Sequence, residues 1–280
     1  SKSFSESIIL GEMVAILLEN KYGLPVERKL GLGGTKIAFD ALQADSIDVY
    51  PDYTGTGYVM ILKMEGEKSP QKIHQIVSHE FKKRWGIIWS KPIGFNNTYA
   101  LAVRENEERF KSIFSISQLK GKLNDIKYGA PHEFMERNDG HQRFSQAYNL
   151  QFNPQNIISL EAGLTYAAIK DKTIDMIIAY STDGRIKAHK LRLLKDDLSF
   201  FPPYHAAFIA KQKTLEKYPQ LQKVFELLAG KISDAQMTQM NDKVDRLKIP
   251  AYTVAKNFLI KTSLIDGTVK SAQESSTFLE

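Results

Sequence analysis

The sequence predicts an α/β protein of two lobes, the first interrupted by the second. Three observations carry this. Short runs rich in β-branched and aromatic residues alternate with helical stretches that carry an apolar face, the pattern of an α/β chain. Near residue 98 the character shifts, and a strong strand, Tyr99-Ala100-Leu101-Ala102-Val103, opens a second set of strands and helices. After residue 210 the chain reads as helical, with little sheet of its own to cover, so these helices are expected to pack on the first portion. The expected division is 1–98 with 206–280 as lobe I and 99–205 as the inserted lobe II. At 280 residues the chain is long enough for two modest lobes.

The elements follow in order. Ser3-x-x-Glu6 reads as a capping box opening a helix whose apolar residues include Ile8, Ile9, Val14, Ile16, Leu17 and Leu18. Gly23 and Pro25 stop it. Residues 26–30 read as a strand, and Gly31-Leu32-Gly33-Gly34-Thr35-Lys36 as a tight turn into a helix ending at Leu42. Those glycines do not make a phosphate loop: a Walker motif needs Gly-Lys-Ser/Thr, and a dinucleotide fingerprint needs a glycine where Lys36 stands. Residues 47–50 are the next strand. Asp48-Val49-Tyr50-Pro51-Asp52-Tyr53-Thr54-Gly55-Thr56-Gly57 then reads as a strand broken at Pro51 and continuing as a glycine-rich, hydroxyl-rich turn. Such strand ends are where α/β proteins place ligands. Ser69-Pro70 caps a helix running to Trp85, and a strand at 87–89 completes a first portion expected to hold a mostly parallel sheet.

The second set has a helix capped at Ser117, a strand at 126–129 and a loop or short helix at 131–140. It continues with helix 142–148, strand 157–160, helix 164–170, strand 174–180, a turn at Thr182-Asp183-Gly184 and strand 191–194. Phe200-Phe201-Pro202-Pro203-Tyr204 leads into strand 205–210. The closing helices are 215–228, one starting at the Ser233 cap, and one after Pro250.

Composition excludes several classes. The chain has no cysteine, so disulfides, thiol catalysis and thiolate metal sites are out. The net charge of +6 is spread along the chain, and its densest basic run, Lys82-Lys83-Arg84, reads as a solvated helix face rather than a nucleic-acid surface. No apolar run reaches the roughly 18 residues of a membrane span. No signal peptide is present, and the abrupt start at Ser1 suggests an export signal, a lipid anchor or a fused partner upstream. The six histidines show no metal-binding spacing, and no nucleophile elbow occurs. Asp48 and Asp52 are expected to be structural rather than an acid–base pair. Nothing demands an enzyme, and no cofactor is implied.

Four tyrosines stand where strands meet loops: Tyr53, Tyr99, Tyr180 and Tyr204. Aromatic faces are electron-rich, and a cage of them suits a quaternary ammonium that offers no hydrogen-bond donor. Each contact is worth on the order of 0.5–2 kcal/mol.

Several motifs, in order along nearly the whole chain, resemble a known family. They are Ser1-Lys2-Ser3-Phe4 with Glu6, Ile9-Leu10-Gly11-Glu12-Met13, the Asp48-to-Gly57 stretch, Asn97-Thr98-Tyr99-Ala100-Leu101, the run from Glu133 to Gly140, Tyr180-Ser181-Thr182-Asp183-Gly184-Arg185-Ile186, and Phe201-Pro202-Pro203-Tyr204. The family is that of the substrate-binding proteins of osmoprotectant ABC importers, the glycine betaine/carnitine/choline-binding proteins of the ProX/OpuC type. The resemblance implies a type II periplasmic-binding-protein fold: two α/β lobes, two crossover strands near Tyr99 and Tyr204, and a ligand cleft between the lobes. It implies Tyr53, Tyr99, Tyr180 and Tyr204 around the trimethylammonium group, with a backbone carbonyl at Asn97, where many relatives carry Asp. It implies Lys2, Thr56 and Arg137 around the ligand carboxylate, with Arg137 engaging two oxygens through its fork. His205 departs from the family's usual aromatic or small residue and is expected to pack behind the cleft.

The implied function is capture of glycine betaine, or a related quaternary ammonium osmoprotectant such as choline or carnitine, for an ABC permease outside the cytoplasm. A monomer is expected. The alternatives are a choline- or carnitine-specific binding protein, or a regulator's sensing domain on this fold, which would need a helix-turn-helix upstream of Ser1; a porphobilinogen-deaminase-like enzyme would need a cysteine. Tyr53→Ala or Tyr204→Ala is expected to weaken binding with little change in ligand-free melting temperature.

Overall fold

A computed structural model of the chain describes residues 1–137 and 139–267. Asn138, inside the Glu133-to-Gly140 motif, lies outside the described residues.

Two sheets organise the chain. The first portion contributes helices α1 (Ser5–Tyr22) and α2 (Thr35–Gln43), strand β1 (Val49–Tyr53), helix α3 (Pro70–Trp85) and strand β2 (Ile87–Trp89). The middle contributes β3 (Tyr99–Arg104), β4 (Tyr128–Pro131), α4 (His132–Glu136), α5 (His141–Ala147), β5 (Ile157–Leu160), α6 (Ala162–Lys170), β6 (Met176–Tyr180), α7 (Arg185–Ala188) and β7 (Leu191–Leu194). Strand β8 (Ala206–Lys211) follows, then α8 (Gln212–Lys217), α9 (Pro219–Leu228), α10 (Asp234–Asp245) and α11 (Ala251–Lys261).

The middle strands form a five-stranded sheet in the order β5-β4-β6-β3-β7. The other sheet has the order β1-β8-β2, with β8 antiparallel to both neighbours. The expected parallel sheet is therefore corrected. The returning strand β8 slots between β1 and β2, and a chain coming back from the other lobe enters from the opposite end. The C-terminal helices α9, α10 and α11 pack around α1, which is buried over most of its surface.

The two segments that join the sheets run side by side. Asn96 and His205 form an antiparallel bridge. The Asn97 amide donates to the Tyr204 carbonyl at 3.1 Å, and the Tyr204 amide donates to the Asn96 side chain at 2.6 Å.

Local readings fail at four places. Residues 26–30 form no strand; the Lys29 carbonyl accepts from the Ser1 ammonium at 2.6 Å and the Val26 carbonyl from Arg28 at 3.3 Å. Pro51 does not break its strand, because β1 is an edge strand that loses no ladder bond to a missing amide. A helix follows β1 directly, continuing as a π-type turn over Thr56–Ile61, instead of a loop. The Ser3 capping box does not form: α1 starts after Phe4 without a side-chain cap, and the Glu6 carboxylate points elsewhere. Smaller shifts also occur. The turn read as capped at Ser117 is a short helix capped by Ser115, and the long closing helix is split at Tyr218-Pro219 into α8 and α9.

Gly55 and Gly57 have helical geometry, so backbone freedom is not their reason. A Cβ on Gly55 would lie 2.6 Å from the Tyr204 ring and 2.9 Å from the Pro203 carbonyl oxygen; on Gly57 it would lie 2.8 Å from the Trp89 ring. These glycines let β1 approach the crossover and β2.

Candidate functional site

The site grows from the C-terminal end of β1. Thr54 fixes that end to the second crossover: its hydroxyl accepts from the His205 amide at 3.1 Å and donates to the Pro203 carbonyl at 3.3 Å. Tyr53 is thereby set against α1, Tyr204 against Gly55, and Tyr99 and Tyr180 across the β3–β6 register, where they are paired residues.

The tyrosines gather. The Tyr99 ring lies 5.3 Å from Tyr180 and 5.8 Å from Tyr204, centre to centre. Tyr53 joins them through Phe4, which stacks 6.2 Å from Tyr53 and 6.4 Å from Tyr180. Phe4 is thus a fifth ring, at the exposed start of α1. Burial pushes the hydroxyls of Tyr53, Tyr99 and Tyr204 well above the ordinary phenol range, and that of Tyr180 upward, so all four are neutral donors.

The basic residues stand among these rings. Lys2 Nζ is 5.4 Å from the Tyr53 centroid, and the Arg137 guanidinium is 5.4 Å from Tyr99 and 5.9 Å from Tyr204. Both are already paired. Lys2 donates to Asp52 at 2.7 Å and to Thr35 at 2.9 Å, with Asp52 fully buried. Asp52 is therefore structural, as expected, although it lies in β1 rather than a turn. Arg137 spends its fork on Asp139, Nε at 2.6 Å and Nη2 at 2.7 Å, and Tyr204 donates its hydroxyl to the same carboxylate. Burial works against the Arg137 charge, but Tyr99, Asp139 and Tyr204 outweigh it and hold the guanidinium above its ordinary value. What remains is Nη1, 3.4 Å from Glu133 and 3.6 Å from the Met60 sulfur.

Thr56 is buried at the start of the turn after β1 and makes no side-chain hydrogen bond among the described residues. Asn97 sends its side-chain amide to Glu6 at 2.9 Å. His205 is half-buried at the mouth of β8; burial lowers its pKa, and its main chain, not its ring, is tied to Thr54.

Sequence reasoning missed Glu6, Asp139 and Phe4 as site members. Glu6 receives Tyr53 at 2.5 Å, Asn97 at 2.9 Å, Thr182 at 2.7 Å and Asn241 at 2.8 Å. Burial raises its pKa above the usual carboxylate range, while those four bonds work the other way. A signal was available: Glu6, Ile9, Leu10 and Met13 share one helical face, and a charge on an apolar stripe marks a buried polar role.

Helices and loops of the first portion and of the middle of the chain also meet directly. Thr35 donates to Glu133 at 3.3 Å, Lys68 to the Phe200 carbonyl at 2.7 Å, and Arg143 pairs with Glu65. A cavity of about 490 Å³ elsewhere, between α1, residues 24–30 and the β1 edge, includes none of the predicted site residues.

Two α/β lobes, paired crossovers and ligand-type side chains at their junction define a solute-binding protein of the type II periplasmic-binding-protein fold. The chain belongs to the family described as the substrate binding domain of the ABC-type glycine betaine transport system, which matches residues 1–261. It is 36% identical over 266 residues to a carnitine transport binding protein of Listeria monocytogenes, covering 94% of this chain and 85% of that one. It is 34% identical over 266 residues to an ergothioneine transport permease/ergothioneine binding protein of Helicobacter pylori, covering 94% of this chain and 47% of that protein, about half its length. A crystal structure of a glycine betaine/carnitine/choline ABC transporter matches with a TM-score of 0.77 and 32% identity over 94% of this chain and 97% of the other. The chain is thus the substrate-binding component of an ABC importer of this type, not an enzyme. Its family is extracytoplasmic, and no helix among the described residues is long and apolar enough to cross a membrane.

Proposed function

We propose that Tyr53, Tyr99, Tyr180 and Tyr204, with Phe4, hold the trimethylammonium group of a betaine-class ligand. In this reading Asn97 lies beside that group, and Lys2, Thr56 and Arg137 receive the carboxylate. Of the expected division, 1–98 with 206–267 form one lobe and the described part of 99–205 the other, residues 268–280 lying outside the described residues, and the protein works as a monomer on the outer side of the membrane. The ligand closes the lobes because only the closed state completes contacts from both.

The observation that carries this is the convergence of these rings with Lys2 and Arg137, from both sheets, on one junction. Each cation–π contact in a desolvated cage is worth on the order of 0.5–2 kcal/mol. The carboxylate end has less to offer: the Arg137 fork is engaged by Asp139, which leaves Nη1 and the remaining Lys2 donor.

The same engagement favours a second reading, tolerance of choline. A ligand without a carboxylate leaves Arg137 paired with Asp139 rather than unpartnered. A thermal-shift panel of glycine betaine, carnitine, choline, ergothioneine and simple amino acids tests both. The trimethylammonium compounds stabilise the protein, by about 2.7 kcal/mol at a hundred times Kd. Stabilisation by histidine or arginine and not by any quaternary ammonium compound defeats the cage.

A further inference from the structure

Six carboxylates are buried among the described residues: Glu6, Glu12, Asp52, Asp139, Asp175 and Asp183. Five of them have a cationic side chain at ion-pair distance. Glu12 meets Arg28, Asp52 meets Lys2, Asp139 meets Arg137, Asp175 meets Arg104 and Arg109, and Asp183 meets Arg185. Glu6, 2% exposed, has none among the described residues.

Its four hydrogen-bond partners are neutral and come from separate places: Tyr53 on β1, Asn97 on the first crossover, Thr182 beyond β6 and Asn241 on α10. Tyr53 and Asn97 donate to Oε1, Thr182 and Asn241 to Oε2. Two donors on each oxygen suit the ionised form, while burial works against it. A buried charge held by dipoles alone is costly unless a counter-charge arrives. Two of those dipoles belong to residues assigned to the ammonium cage.

We propose that Glu6 is the counter-ion for the ligand's quaternary ammonium, acting as a positioning residue through Tyr53 and Asn97. The phenol that donates to a carboxylate is polarised toward phenolate, which enriches its ring face for a cation. Tyr204 makes a similar bond to Asp139, but Arg137 neutralises that carboxylate. Among the described residues, Glu6 is the buried carboxylate without such compensation. It also ties the two sheets, since Tyr53 and Thr182 lie on opposite sides of the cleft and both reach it.

The inference rests on the cage reading above, and the test separates the two. Affinities of glycine betaine and of its tert-butyl isostere, with carbon in place of nitrogen, are measured by calorimetry for the wild type and Glu6→Gln. The isostere has the same shape and the same carboxylate but no cation. Wild type favours glycine betaine strongly. Glu6→Gln lowers glycine betaine affinity by about tenfold, the scale of one cation–π-type contact, and leaves the isostere within about twofold. Equal losses for both ligands overturn the counter-ion role and leave the cage standing. A wild type that binds both ligands alike overturns the cage reading itself. If Glu6→Gln does not fold, Tyr53→Phe serves: it keeps the ring and Glu6's other donors, and lowers the betaine-to-isostere ratio. An unchanged ratio in Tyr53→Phe overturns transmission through the ring.

Discussion

The two ends assigned to the ligand are built on opposite charge logic. At the carboxylate end, Lys2 and Arg137 each bring a buried acid, Asp52 and Asp139, so their charge is spent before any ligand arrives. At the ammonium end, the rings surround no free cation and are backed by Glu6, which has no cationic partner among the described residues. The lesson is one of priority. A site that neutralises its own bases and leaves an acid unpaired selects first for the cation, and the ligand carboxylate refines the choice.

Three substitutions sharpen or break that contrast. Tyr204→Ala has the largest effect. The ring is 2% exposed and packed on Tyr99 and Gly55, so removing it costs about 3–5 kcal/mol of ligand-free stability and removes betaine binding. Denaturant unfolding without ligand, beside calorimetry with it, measures both. This revises the expectation of an intact melting temperature, because burial makes the ring a packing element as well as the proposed cage wall; an unchanged midpoint restores it.

Arg137→Ala comes next. It leaves Asp139 with the Tyr204 hydroxyl and no cation, and takes away the remaining Nη1 donor, so glycine betaine loses affinity by roughly a charge-assisted hydrogen bond, about 1.5–3 kcal/mol, and choline loses less. Competition binding with the two ligands measures the difference. Equal losses would remove Arg137 from the carboxylate end.

Phe4→Ala is the mildest. Phe4 is 38% exposed and stacks on Tyr53 and Tyr180, so its truncation weakens all trimethylammonium ligands by about 0.5–1.5 kcal/mol with little change in melting temperature. A ligand-independent drop in melting temperature without an affinity change would make Phe4 a packing residue alone.

Much of the fold was legible because local signals agreed with the tertiary outcome. The strands at Ile87–Trp89, Ile157–Leu160 and Leu191–Leu194 lie where β-branched and aromatic runs stand between breakers. Gly23 ends α1 in the left-handed conformation, and Ser69 caps α3 through the Lys72 amide. Errors arose where a distant segment decides. Residues 26–30 have strand composition without a paired neighbour. Pro51 survives in β1 because β8 lies on the other side. The Ser3–Glu6 pair fits a capping box in sequence, but four donors from elsewhere claim the Glu6 carboxylate.

The α/β alternation, the break near residue 98 and the residue types that a methylated cation and a carboxylate require can all be read along the chain. Those follow from periodicity and side-chain chemistry, which are local. Folding in three dimensions is what gives the Arg137 fork to Asp139, Lys2 to Asp52, and Phe4 its place between Tyr53 and Tyr180. It alone left Glu6 as the buried acid without a base among the described residues. The physical reason is that charge balance in a buried site is a sum over neighbours in space, and these neighbours come from segments as far apart as Glu6 and Asn241.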